Sequence, residues 1–166
     1  KLAIIPLIFL LGCAASAPKW ADKQKCKKGF YCAVGIAETN SRTVSANQAK
    51  QNALGNLTTS IEADNDVRGE EALETAGRNA MVYFNQVTKT QAAVMLKDVI
   101  VSKQETVTKG KYYTTYVLIE VNKGALRERE LEELQKNDEV YQRLRGTKLI
   151  EDAKAEMEEY RKRKGS

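Results

Sequence analysis

The hydrophobic residues of this chain change their spacing twice, and these changes constrain its fold more than any other feature. Over residues 45–87 apolar residues recur every three or four positions, which is the period of amphipathic helices. Over residues 98–121 apolar and polar residues alternate about the turn Lys109-Gly110-Lys111, which predicts a β-hairpin. A short apolar run at 30–37 predicts a further, largely buried strand. The chain is therefore expected to be α+β, with helices on one face of a small antiparallel sheet.

The first predicted helix has a face of small residues. Ser45 is expected to be its N-cap, because a serine hydroxyl can accept a hydrogen bond from the free N–H groups that begin a helix. Gly35, inside the first strand, indicates that another backbone approaches closely. The small face is expected to pack tightly against the sheet; its members are Ala46, Ala49, Ala53, Leu57 and Ile61.

A polar cluster, Asp64-Asn65-Asp66, is expected to form a turn and a helix cap. It does not match a calcium-binding loop, because Gly69 and Glu70 come too early for that pattern. A second helix is expected to begin near Glu70, with Gly77 as its weak point, and to end between 88 and 96. Its apolar stripe consists of Leu73, Ala76, Ala80, Phe84 and Val87.

The last predicted strand, 112–121, is rich in tyrosine. Its more apolar face, which contains Val117 and Ile119, is expected to lie on the helices. Tyr112, Tyr113 and Tyr116 are candidates for a ligand surface, because aromatic rings stack on the apolar faces of sugars and peptides. Ordinary cross-strand packing explains these tyrosines equally well.

Residues 125–164 are about half charged, with both signs interleaved, and predict a long helix that Gly146-Thr147 interrupts. Thr147 is placed to cap its second part. A narrow apolar stripe is predicted to meet either partner subunits or the chain's own domain, and the sequence leaves both open. It consists of Leu131, Leu134, Tyr141, Leu144, Leu149, Ala153, Met157 and Tyr160.

The first thirteen residues have the pattern of a bacterial lipoprotein signal. Lys1 is followed by an apolar core, 2–11, that is too short to span a bilayer, and Gly12 precedes Cys13. Cys13 is therefore predicted to be the acylated first residue of the mature chain. Ala14, rather than an aspartate, favours sorting to the outer membrane. The alternative is an uncleaved membrane-tethering segment with an incidental cysteine.

Export to an oxidising compartment changes the interpretation of the other cysteines. Cys26 and Cys32 are expected to form a small disulfide loop, with Gly29 supplying the backbone freedom for a short closure. The alternative is two reduced cysteines, with Cys32 buried in a strand. No metal site is expected, because the chain has no histidine and two thiols do not complete a tetrahedral zinc site.

The predicted organisation has four parts: a signal peptide at 1–12, a lipidated flexible tether at 13–28, an α+β domain at 29–124 and a charged helical extension at 125–166. The formal net charge is +5. Lysines crowd the tether, and they either contact anionic lipid headgroups or belong to a solvated linker. No nucleic-acid partner is expected, because no binding motif follows them. The tether lysines are Lys19, Lys23, Lys25, Lys27 and Lys28.

Over residues 17–124 the chain resembles the Lpp-twenty-like lipoproteins, a family that includes surface lipoproteins of gastric bacteria and flagellar proteins. Besides the signal, the resemblance depends on four words of sequence: Ala17-Pro18-Lys19-Trp20, Val34-Gly35-Ile36-Ala37, the alanine-rich segment 46–57, and Tyr116-Val117-Leu118-Ile119-Glu120-Val121. It implies a strand-helix-strand-strand core and an outer-membrane anchor. In the flagellar members it also implies assembly into rings or discs around the motor.

The chain offers little for catalysis. It has no histidine to act as a base near neutral pH, no phosphate-binding loop and no nucleophile elbow, so an enzyme and a cofactor are not expected. The prediction is an outer-membrane-anchored periplasmic structural lipoprotein that self-associates, as in a flagellar-motor-associated ring or disc. The alternative is a surface or envelope binding lipoprotein, such as an adhesin or a peptidoglycan- or glycan-binding module.

Overall fold

The computed structural model of the chain describes residues 16–22, 25–97, 99 and 101–165. Cys13, the predicted acylation site, lies outside these described residues. The elements along the described chain are α1 (Lys19–Asp22), β1 (Phe30–Thr39), α2 (Arg42–Ala76), α3 (Arg78–Lys97), β2 (Val101–Lys109), β3 (Tyr112–Asn122), α4 (Lys123–Leu134), α5 (Asp138–Leu144) and α6 (Lys148–Lys164). The predicted α+β class is confirmed.

The three strands form an antiparallel sheet in the order β1-β3-β2, so β3 is central. The hairpin of β2 and β3 turns at Gly110, whose φ of 60° lies in the left-handed region that glycine adopts readily. Val117, Ile119 and Val121 on β3 are buried beneath the helices, as their alternation predicts. We call the opposite side of the sheet the outer face.

Helix α2 packs directly on β1, and the predicted small-residue face makes this possible. A Cβ at Gly35 would overlap the carbonyl oxygen of Ala49 and the backbone of Ala53, which confirms the close approach expected there. The predicted cap is wrong, because α2 begins at Arg42, with Ser41 at the N-cap. Ser45 is instead buried within the helix, where its hydroxyl donates to Ala37 O at 2.9 Å and contacts Thr115 Oγ1 at 2.7 Å.

The turn predicted at Asp64-Asn65-Asp66 is also wrong. These residues lie inside α2, which runs for 35 residues without a break, and no separate helix begins at Glu70. The helix ends where Gly77 was predicted to weaken it, and Gly77 adopts a φ of 81° before α3 begins. Helix α3 then continues to Lys97, one residue beyond the predicted limit.

The charged C-terminal segment folds back on the chain's own helices. The interruption at Gly146-Thr147 is confirmed, and a further break at 135–137 was not predicted. Most of the predicted apolar stripe is buried against α2 and α3, which answers the open choice in favour of packing on its own chain. The buried residues thus form two clusters, one between the sheet and α2 and one among the helices. The helical cluster contains Ala72, Ala76, Ala80, Met81, Phe84, Val87, Leu131, Leu134, Leu144, Leu149, Ile150 and Ala153. Among the described residues, no helix combines the length and apolar character needed to cross a membrane.

Candidate functional site

A buried arginine on α4 connects four elements of the fold. Arg127 has no exposed surface, and its Nη1 donates to both carboxylate oxygens of Glu130, at 2.7 and 3.0 Å. Nη2 donates to Tyr31 on β1 at 2.5 Å and to Asp64 on α2 at 2.9 Å, and Tyr31 in turn donates to Asp64. Nε donates to Glu156 on α6 at 3.1 Å. The network therefore joins β1, α2, α4 and α6.

The electrostatics of this network favour one fixed charge state. Burial acts to lower the pKa of Arg127, but Glu130, Tyr31 and Glu156 raise that pKa above its ordinary range. Burial raises the pKa of Tyr31; Arg127 opposes this shift, and the hydrogen bond to Asp64 adds to it. Arg127 thus stays cationic and Tyr31 stays neutral. Because Nε, Nη1 and Nη2 of Arg127 all donate to side chains of the same protein, the guanidinium joins structural elements and has no nitrogen left for a ligand.

Two asparagines of α2 occupy the backbone acceptors along the free edge of β1. Asn52 Nδ2 donates to Ile36 O at 2.8 Å, and Asn56 Nδ2 donates to Val34 O at 2.9 Å. An unpaired row of strand carbonyls is a template for pairing with another chain. The edge of β1 is therefore capped by its own helix.

The other edge of the sheet, on β2, differs. Because Val34 and Ile36 point their carbonyls away from β3, antiparallel alternation makes Gly35 and its partner Val117 a hydrogen-bonded pair. The N–H and C=O groups of Val117 therefore point towards β1. Gln104, the partner of Val117 on β2, is then in a non-hydrogen-bonded pair, so the N–H and C=O groups of Gln104 point to the free edge. Among the described side chains, none is seen to donate to or accept from the backbone of β2. We call this side of the sheet the open edge.

The outer face next to this edge presents apolar and aromatic side chains. Ile36, Tyr116 and Glu105 lie in one cross-strand row, and Ile36 is 48 % exposed. Tyr112 belongs to the same face and is 44 % exposed, with Lys111 Nζ 5.5 Å from its ring centroid. Tyr113 occupies the opposite side of β3. The structure thus brings only two of the three candidate tyrosines onto one surface.

The predicted disulfide between Cys26 and Cys32 is present in the structure. It fixes the segment before β1 beside Glu120, whose carboxylate accepts from Lys27 Nζ at 2.9 Å and from Ser102 Oγ at 2.7 Å. Burial acts to raise the pKa of Glu120, but the bonds from Ser102 and Lys27, together with the charge of Lys103, lower that pKa below its ordinary value. The carboxylate is therefore ionised at neutral pH.

The described part of the chain has a small polar cavity but no preassembled metal site. No group of three or more His, Cys, Asp or Glu side chains there is arranged to hold a metal ion. A polar cavity of about 90 Å³ lies between α2 and α3, lined by Glu62, Asn65, Asp66, Asn85, Thr88 and Lys89. A cavity of this size accommodates a few water molecules.

Sequence reasoning missed both Arg127 and the asparagine caps. A signal for Arg127 was present, because it shares helical spacing with Leu131 and Leu134 and so falls on a buried stripe. Asn52 and Asn56 are four residues apart on one helix face, but their targets on β1 depend on how the helix lies across the sheet. No local pattern identifies such targets.

Comparison with protein-family models, with proteins of described function and with solved structures gives no significant match to this chain. The resemblance to Lpp-twenty-like lipoproteins therefore stays a prediction.

Proposed function

We propose that this protein is a lipid-anchored structural protein of the bacterial envelope that self-associates through the open edge of its sheet. The observation that carries the proposal is the contrast between the two edges. Asn52 and Asn56 cap β1, whereas β2 offers its backbone N–H and C=O groups to a further strand. The C-terminal helices are a less suitable interface than the sequence indicated, because most of their apolar stripe is already buried within the chain.

The charges on β2 favour pairing with the same strand of a second copy. In an antiparallel pair centred on Gln104, Lys103 of each copy lies opposite Glu105 of the other. Lys103 and Glu105 pair with Leu118 and Tyr116, so both belong to the outer face. This register overlaps the strands over residues 101–107, and the irregularity of β2 between Val101 and Lys103 lies at both ends of the overlap. A register centred on Lys103 or on Glu105 would instead oppose like charges.

The test is a charge exchange measured by mass photometry and analytical ultracentrifugation. The form beginning at Ala14 contains every residue that the structure describes. We expect it to dimerise, and we expect K103E and E105K each to weaken the dimer because each opposes like charges. The double variant K103E/E105K restores opposite charges and should recover dimerisation.

A matched control exchanges the charges of the exposed pair Glu139 and Arg143 on α5, whose atoms lie 2.9 Å apart. E139R/R143E should leave the dimer unchanged. A protein that is monomeric at every concentration, or single variants that dimerise as well as the parent, would overturn the proposal. Loss in the single variants without recovery in the double variant would reject this register.

A second candidate function, an envelope binding module, is favoured by one observation. The outer face exposes Ile36 and Tyr112 beside Tyr116, which is a surface suited to stacking on a glycan. Soluble peptidoglycan fragments that bind the monomer, and lose affinity in Y112A/Y116A, would favour this function over self-association.

A further inference from the structure

Basic side chains from distant parts of the sequence meet at one end of the molecule. Arg163, near the end of α6, donates from Nη1 to Lys28 O at 2.9 Å, and Lys28 Nζ lies 3.6 Å from Glu159. The start of α4 lies against the same helix, because a Cβ at Gly124 would overlap the side chain of Tyr160 and the Glu156 carbonyl oxygen. We call the resulting surface the basic end. It comprises Lys25, Lys27, Lys28, Lys123, Arg161, Arg163 and Lys164.

Carboxylates neutralise only part of this end. Contacts join Lys27 to Glu120, Arg161 to Glu128, and both Lys28 and Arg163 to Glu159. The cations nevertheless remain open to solvent: the side chains of Lys27 and Lys28 are 69 % and 87 % exposed, and that of Arg161 is 57 % exposed. The basic end is therefore a concentrated positive surface.

A chain of contacts connects this end to the segment that follows the predicted lipid anchor. The ring of Trp20 in α1 lies 6.0 Å from Lys103 Nζ on the outer face. The neighbouring Ser102 donates to Glu120, which also accepts from Lys27 at the basic end. Pro18 is buried, so this segment rests on the domain.

The covalent distance to the anchor is short. Ser16 is three residues from Cys13, and three extended residues span about 10 Å at most. Ionic screening at physiological salt acts over about 8 Å. The potential of a membrane surface therefore reaches the side of the domain where the chain emerges.

We propose that the basic end docks on a bilayer surface that carries anionic phospholipid headgroups, with Trp20 at the headgroup boundary. The orientation rests on the proposed anchoring at Cys13, but the affinity of the basic end does not. Each basic side chain near an anionic surface contributes about a fivefold gain in affinity, so three of them contribute on the order of a hundredfold. The docked orientation would place the sheet edge at a fixed height above the leaflet.

The experiment measures co-sedimentation of the unacylated form beginning at Ala14 with vesicles. One vesicle type contains phosphatidylcholine alone, and the other contains equal parts of phosphatidylcholine and phosphatidylglycerol. We expect binding to the second type only, with affinity that falls as salt rises. K25Q/K28Q/K164Q should lower this affinity at least tenfold.

The matched control removes the same charge elsewhere on the surface. Lys50 and Lys89 are exposed on α2 and α3, and Lys111 is exposed at the hairpin tip, at the far end of the sheet from Glu120. K50Q/K89Q/K111Q should bind anionic vesicles as the parent does. Far-ultraviolet circular dichroism and urea unfolding check that both triple variants remain folded.

Three results would overturn the proposal. They are equal binding to both vesicle types, an equal loss of affinity in the two triple variants, and retention by a soluble polyphosphate polymer without any vesicle binding. Acylation is measured separately, by mass spectrometry of the protein extracted from membranes. Absence of acyl chains on Cys13 would remove the proposed anchor, whereas it would leave the vesicle result standing.

Discussion

The carboxylate of Glu130 lies 2.7 Å from Nη1 of Arg127, and both side chains are buried one helical turn apart on α4. Glu130 alone does not satisfy every N–H group of the guanidinium. The remaining hydrogen bonds go to Asn65, Asp64, Tyr31 and Glu156. A burial of this kind stabilises a fold only when each polar group has its partner.

Removing the arginine should therefore be costly. R127M leaves the carboxylate of Glu130 buried without a counter-ion, and we expect the free energy of unfolding to fall by about 3–5 kcal/mol. R127M/E130L replaces the pair by apolar groups and should recover most of that loss. Urea unfolding followed by circular dichroism measures both. R143M, at an exposed ion pair, is the control and should change stability by less than about 1 kcal/mol. An R127M protein as stable as the parent would contradict the prediction.

Gly35 is predicted to tolerate no side chain. A Cβ there overlaps backbone atoms of Ala49 and Ala53, which cannot rotate away, so α2 must move from the sheet. We expect G35A to lower the free energy of unfolding by about 3 kcal/mol. G55A, on the exposed side of the same helix with nothing within 4 Å of the added methyl group, should instead stabilise by up to about 1 kcal/mol. Equal effects at the two positions would show that the contact is not tight.

The disulfide should stabilise the protein modestly. It closes a short loop, because Cys26 and Cys32 are six positions apart, and such a loop contributes about 2 kcal/mol through the unfolded chain. The variant C26S/C32A should lower the unfolding free energy by this amount and retain the native circular dichroism spectrum. Reductant should lower the melting temperature of the parent only. A reductant-insensitive parent, with free thiols detected by mass spectrometry, would contradict the assignment.

Glu120 makes stability depend on acid pH. Its folded pKa is lowered from the ordinary value of 4.5, so the folded state favours the carboxylate. The resulting stabilisation is present above the unfolded pKa and is lost as the pH falls through the folded pKa. E120Q should therefore be less stable than the parent at pH 6, and the difference should shrink as the pH falls below 4.5. A difference that does not vary between pH 6 and pH 3 would show that ionisation is not its source.

The caps on β1 are predicted to prevent association. N52A/N56A frees the carbonyls of Val34 and Ile36, which then offer a second strand edge, and we expect particles larger than those of the parent. Dynamic light scattering and mass photometry measure particle size against concentration. N47A/Q51A changes exposed neighbours on the same helix and should leave the size unchanged. If both double variants matched the parent, capping would have no role in association.

The sequence predicted those features that depend on local spacing. The hairpin, the small-residue face of α2, the weak point at Gly77 and the faces of β3 each follow from the period of apolar residues or from the conformation of one glycine. The break between α4 and α5, at 135–137, was not predicted, although it also had a local signal. Asn137 precedes two acidic residues, and its side chain accepts from Val140 N as an N-cap does.

The errors arose where polar residues are satisfied over long distances. Ser45 has a strong cap preference, but its hydroxyl finds partners on β1 and β3 and is buried there. Asp64 and Asn65 favour a turn in isolation, yet Arg127, more than sixty residues later, accommodates both inside a helix. Local propensity cannot include a partner that only the folded topology provides.

In the proposed assembly, the asparagine caps on β1 limit the number of chains that can share one continuous sheet. When β2 pairs with β2 of a second copy, that edge of both sheets is no longer available for pairing. On the opposite edge of each sheet, Asn52 and Asn56 occupy the carbonyls of Ile36 and Val34. Under the proposed pairing of β2 strands, growth by strand addition would therefore stop at two chains. The proposed lipid anchor would hold the chains at a high local concentration in one leaflet, where uncontrolled strand addition would cause aggregation. The amide side chains of Asn52 and Asn56 would thus limit the size of the assembly.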